Sequence, residues 1–96
     1  MPRAIVLNPG DNVATLIDSG SAGAGCTLQG EATHTLKLAT DIPFGHKVCT
    51  RDIALDAPVV KYGQVIGRAS RAITAGEHVH THNVDAARGR GDQPGR

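Results

Sequence analysis

Three stretches of this chain line up without gaps: "DIPFGHKV" (41–48), "DIALDAPV" (52–59) and "AITAGEHV" (72–79). Each has isoleucine in second place and valine six residues later. The residue three after the isoleucine is Gly45, Asp56 or Gly76, types that tolerate positive φ. Each unit therefore reads as strand, tight corner, strand, with the Gly or Asp taking the left-handed turn position. "LNPGDNV" (7–13) repeats the spacing from Leu7 through Gly10 to Val13, and its Pro-Gly pair suits a type II turn. Short strands joined by Gly and Pro corners predict a compact all-β domain.

The remaining segments agree with that class. "VVKYGQVIG" is a hairpin with Gly63 at its turn, and "DNVATLIDSG" is a strand because Val, Thr and Ile are dense in it. "EATHTLKLA" alternates polar and apolar residues, as a half-exposed strand does. "SGSAGAG" (19–25) has the composition of a flexible loop. "AARGRGDQPGR" offers nothing large and apolar, so residues 86–96 are expected to form a disordered tail after a domain at 1–85. The "RGD" at 90–92 within it is a chance tripeptide. Phe44 and Tyr62 are the only aromatic residues, so the core has to come from Ile, Val, Leu and Ala.

A net charge of +1 gives no reason to expect nucleic acid or a membrane surface as a partner. No apolar run approaches a membrane span, and "AIVL" is too short for the core of a signal peptide. Two cysteines allow one bridge at most, which is no disulfide framework, and a reduced cytoplasmic setting is the simpler expectation. Cys49 follows Val48 in an apolar strand and reads as core. Cys26, beside the Gly-rich loop, is the better candidate for a reactive thiol.

"GEHVHTHN" (76–83) holds His78, His80 and His82 at alternate positions. On a strand these share a face, with neighbours roughly 6.6 Å apart and His78 and His82 about 13 Å apart. One adjacent pair, His78 with His80, could lean onto a metal at about 2.1 Å, and the remaining ligands would come from His46 or a partner chain. The strand alone is thus an incomplete ligand set. Metal ligand, catalytic base, carboxylate binder and solvated strand face all stay open for these histidines. "GHK" displays His46 and Lys47 directly after a corner glycine, where rigid strands hold a loop. Tyr62 is expected to lay its ring over the aromatic-poor core with the hydroxyl outward. Lys61 is expected in solvent.

The segments "DIPFGHKV", "DI", "VVKYGQVIGRA" and "ITAGEHVHTHN", in that order, resemble the N-terminal domain of the altronate and galactarate dehydratases. They are also similar to the separate small subunit of sulfolactate sulfo-lyase. The resemblance is strong over 41–84 and looser over "NPGDNVATLI". It implies a SAF domain, a β-clip fold related to type III antifreeze protein and the C-terminal domain of sialic acid synthase. The implied activity is a lyase that removes water, or sulfite, from a 2-hydroxy acid to leave a 2-keto acid. This chain would work with a large lyase subunit that carries much of the active site and holds most of the ligands of a divalent metal, Fe2+ or Mn2+. A non-catalytic β-clip binding or assembly module is the alternative, and a homo-oligomer is left open. On this reading His46, Lys47 and His80 are the catalytic candidates. Tyr62, His78, His82 and Asn83 are the substrate-binding ones, and His78 and His80 are the metal candidates. An elimination needs a base for the proton next to the carboxylate, an acid for the departing group and a cation for the developing charge. His46 suits proton transfer and Lys47 suits the carboxylate.

Overall fold

A computed structural model describes residues 1–31 and 33–86. Nine short strands make up the regular structure, and no helix occurs among the described residues. They are β1 (Arg3–Val6), β2 (Val13–Leu16), β3 (Gly25–Gly30), β4 (His34–Lys37), β5 (Lys47–Cys49), β6 (Pro58–Lys61), β7 (Gln64–Ala69), β8 (His78–Val79) and β9 (Val84–Ala86). One sheet has the order β4-β3-β1-β2-β5-β8 and the other β6-β7-β9. β9 runs through Ala86, one residue into the stretch expected as a tail. The rest of that stretch, "RGD" included, lies outside the described residues.

The corner repeat is what shapes the domain. Ile42, Ile53 and Ile73 are buried, as are Val48, Val59 and Val79. Each repeat closes a four-residue turn: His46 N–H donates to Pro43, Ala57 N–H to Ala54 and Glu77 N–H to Thr74. The third turn residue has positive φ in every case, 84° at Gly45, 70° at Asp56 and 96° at Gly76, as a type II turn requires. Ile53 and Ile73 exchange two backbone hydrogen bonds at 2.8 Å, so two of the repeats face each other as a pair.

Two apolar clusters form on opposite sides of the β2–β5 ladder. Ala14, Leu16 and Val48 point into one, with Leu28, Leu38 and Ile42. Val13, Cys49 and Val79 point into the other, with Ile53, Val59 and Ile73. Successive strand residues alternate between faces, so three-residue β5 contributes to both cores. Burial of each such Val, Leu or Ile contributes about 1.5–3 kcal/mol.

Four local expectations need correction. Gly10 lacks positive φ: Asn8–Asp11 closes with a 3.0 Å backbone bond, but Asn8 Oδ1 also accepts the Gly10 N–H and no type II turn forms. Leu7 is exposed, so the spacing there matches without the burial. The 19–25 loop is pinned by a Gly20–Ile42 bridge, by Asp41 accepting the Ala22 N–H and by a corner at Gly23 with φ 87°. Tyr62 is 57% exposed, at the tip of the β6–β7 hairpin and not over a core. Tyr62 and Gly63 have φ of 57° and 72°, the double left-handed pair of a type I′ turn. Buried Asp11 clasps that tip, accepting the Tyr62 N–H at 3.0 Å and the Gly63 N–H at 2.8 Å. Lys61 turns its ammonium over the Tyr62 ring, 4.7 Å from the centroid.

Candidate functional site

Antiparallel pairing of β5 with β8 sets Val48 opposite His78 and Lys47 opposite Val79. Continuing that register past the strand ends sets His46 opposite His80. Their rings stack at 4.5 Å between centroids. His46 Nδ1 lies 2.9 Å from His78 Nε2, so one of these nitrogens donates to the other. The ring nitrogens of His46, His78 and His80 all lie within 4.8 Å of one another. The "GHK" corner and the histidine segment therefore share one surface.

The histidine segment is not one extended strand. β8 ends at Val79, and a turn closes when Asn83 N–H donates to the His80 carbonyl at 3.1 Å. Asn83 Oδ1 accepts the His80 N–H at 2.9 Å and Nδ2 donates to the His78 carbonyl at 2.8 Å. Asn83 is 1% exposed and its amide is spent on this turn, so it builds the site's backbone and is not turned toward a substrate. The same turn brings the His82 ring to 5.3 Å from His78, well inside the separation expected on a straight strand. Burial holds the His78 pKa below the usual imidazole value, and the nearby His46, His82, His80 and Lys47 lower it further.

Lys47 alternates to the opposite side of β5 from His46 and Val48. It meets His80 in a hollow of about 230 Å³ between the two sheets, walled by Ile66, Val79, Thr81, Val84 and Ala86. Burial, with Lys61 adding like charge, lowers the Lys47 pKa. A second, more open groove of about 410 Å³ is lined by Ser19, Gly20, Ser21, Asp41, Ile42, Pro43 and His78. The imidazoles thus sit between two depressions. Tyr62 lines neither of them. The sequence reading missed Ser19, Ser21 and Asp41 on one side and Ile66 and Val84 on the other. These residues come from several segments, and the motifs that contain Asp41 and Ile66 do not single them out.

A divalent metal fits the trio as chemistry. Imidazole nitrogens suit borderline first-row ions, and neighbouring ligands around an ion at roughly 2.1 Å stand about 3.0–3.4 Å apart. The 2.9 Å pair is already near that spacing. The carboxylate of Glu77, next to His78 in sequence, is committed elsewhere: it accepts from Thr74 N–H at 2.7 Å and Thr74 Oγ1 at 2.6 Å, which lowers its pKa. Both cysteines are free and buried, Cys26 in the first apolar cluster and Cys49 in the second. Cys26 is fully buried in the first cluster and burial raises its thiol pKa, against the expectation of a reactive group. Burial pushes Cys49 up to about 11.

The fold and the imidazole cluster define a small all-β domain of the SAF type, presenting titratable groups at one sheet end. Residues 2–87 match the family described as the altronate/galactarate dehydratase SAF domain. The chain belongs to that family. It is 39% identical over 72 residues to (2R)-sulfolactate sulfo-lyase subunit alpha of Chromohalobacter salexigens, covering 75% of this chain and 77% of that one. It is 41% identical over 74 residues to altronate dehydratase of Escherichia coli K12, covering 77% of this chain. It is 38% identical over 69 residues to that organism's galactarate dehydratase (L-threo-forming), covering 72% of this chain. The matches span 14% and 12% of the two dehydratases. No helix among the described residues is long and apolar enough to cross a membrane.

Proposed function

We propose that this chain is the small subunit of a cytoplasmic sugar-acid dehydratase, acting with a large lyase chain on a 2-hydroxy acid such as altronate. The observation that carries the reading is the convergence of His46, His78 and His80 beside the Lys47 hollow. In the elimination, the proton on the carbon next to the carboxylate is taken by a base and the C–O bond on the next carbon breaks. The leaving hydroxyl departs as water with a proton from an acid, and the enol becomes the 2-keto acid. His46 and His80 are the proton-transfer pair, and Lys47, which shares the hollow with His80, holds the carboxylate. His78 and His82 orient the substrate hydroxyls from the groove side. Fe2+ or Mn2+, when bound, supplies the charge that holds the enediolate.

A second reading, loss of sulfite in place of water, is favoured by the relative named as a sulfolactate sulfo-lyase alpha subunit. The match to it extends over three quarters of both chains. That name also supports the expectation of a second subunit. The test is to purify the chain with its native large partner and assay altronate, galactarate and sulfolactate for 2-keto acid. Keto acid from one of them, with neither chain active alone, is the expected result. An intact complex inactive on every member of the panel would leave the domain as a binding or assembly module.

A further inference from the structure

We propose that His46, His78 and His80 form a divalent-metal site that belongs to this chain alone, taking a borderline first-row ion through three imidazole nitrogens. The lyase reading places its metal on the large chain and uses these imidazoles for proton transfer, so the ion proposed here occupies the small chain before substrate and partner engage it. Three features carry the inference. The ring nitrogens converge within 4.8 Å, with His46 Nδ1 and His78 Nε2 at 2.9 Å. The widest pair has to close by roughly 1.5 Å to meet one ion, a distance within side-chain rotation of the exposed His80.

The ligand backbones are already fixed, which is the second feature. Asn83 ties the His78 carbonyl and the His80 N–H together at 2.8 and 2.9 Å. His46 is held by its own turn to Pro43 and by the Leu16 N–H donated to its carbonyl at 2.9 Å. Little ordering is left for the ion to impose, so affinity is lost to entropy less than in a flexible histidine run.

The third feature is composition. An all-imidazole set favours zinc, cobalt, nickel or iron(II) over magnesium or calcium, which take oxygen ligands. At 2.9 Å one facing nitrogen carries the proton of a hydrogen bond. Ion binding requires lone pairs on both, so that proton moves to the ring's other nitrogen or to water. His80 lines one depression and His78 the other, so water or a hydroxy-carboxylate oxygen could reach an ion held by these rings.

The test uses the full chain, free of any histidine tag, titrated with Co2+ and with Mg2+ by calorimetry and visible absorption. One Co2+ per chain is expected, with ligand-field bands and no response to Mg2+. His46→Ala, His78→Ala and His80→Ala should each weaken binding by at least ~10-fold, and His34→Ala should change nothing. His80→Gln, at an exposed position, repeats the measurement in a variant whose thermal melt matches the parent. Binding that survives the triple substitution, equal Mg2+ affinity, or no Co2+ binding by the folded parent would overturn the proposal. A chain that binds Co2+ but supports no elimination sinks the lyase reading and leaves this one standing. An active complex built on a chain that binds no ion alone does the reverse.

Discussion

Alanine at Gly76 should damage the domain far more than alanine at Gly45, although the two corners are equivalent in sequence. Both glycines have positive φ, 96° and 84°, so either substitution places an L-residue in left-handed backbone at about 1–2 kcal/mol. The surroundings then differ. A Cβ at Gly45 meets nothing within 4 Å. A Cβ at Gly76 overlaps the Lys37 carbonyl oxygen and comes within 3.3 Å of the Ala39 nitrogen. The strand end at Lys37 has to retreat, and the 2.9 Å bond from Ala39 N–H to the Gly76 carbonyl goes with it. Losing that bond and tight packing adds about 2–3 kcal/mol. The totals are about 1–2 kcal/mol for Gly45→Ala and about 3–5 kcal/mol for Gly76→Ala. For a domain of this size each kcal/mol lowers Tm by roughly 4–8 °C. Gly45→Asn should cost less than Gly45→Ala, because Asp56 occupies the same corner position with φ 70°. Thermal melts and urea midpoints of the three variants decide it. Equal losses at both glycines, or a larger loss at Gly45, would refute the packing half of the reasoning.

Asn83→Ala should cost about 2–3 kcal/mol in urea unfolding, because it leaves the His80 N–H and the His78 carbonyl without their partner. Asp11→Ala should cost about 1–3 kcal/mol by the same assay, since the Tyr62 and Gly63 N–H groups lose their shared acceptor. With the Cys49 thiol near 11, about 0.1% of it is thiolate at pH 8, so alkylation of the folded chain should run at least ~10-fold slower than after denaturation. Once the chain is denatured, both thiols should titrate. The isolated chain should turn over none of the sugar acids with Fe2+ or Mn2+ added, checked by keto-acid formation.

The corner repeat was readable because one chemical demand, positive φ between two buried side chains, recurs at fixed spacing. The fourth copy failed on burial: Leu7 has the spacing but faces solvent, and spacing cannot say which side of a strand is covered. Composition misread the 19–25 loop, since Gly20 and Gly23 are there for tight backbone bonds to Ile42 and Leu38. That His46 could join His78 and His80 was legible, because one adjacent pair on the strand is an incomplete ligand set. The approach of His82 was not, because it depends on Asn83 folding the chain back, and an asparagine's partners are tertiary facts. Tyr62 misled for a related reason: the turn it occupies needs its backbone, and its ring is left to Lys61.

The proposed role of this surface is tested most directly by the activity of the small chain reconstituted with its large partner, compared for the His46→Ala, Lys47→Ala and His80→Ala variants and the His34→Ala control. His34 lies on the exposed edge strand β4, away from the cluster. Each of the first three should cut turnover by about 100-fold or more, the scale of losing a positioned proton-transfer or charge-holding group, while His34→Ala stays near the parent. Full activity in a complex carrying all three substitutions together would mean that the imidazoles are a solvated strand end and that the elimination is performed entirely by the large chain.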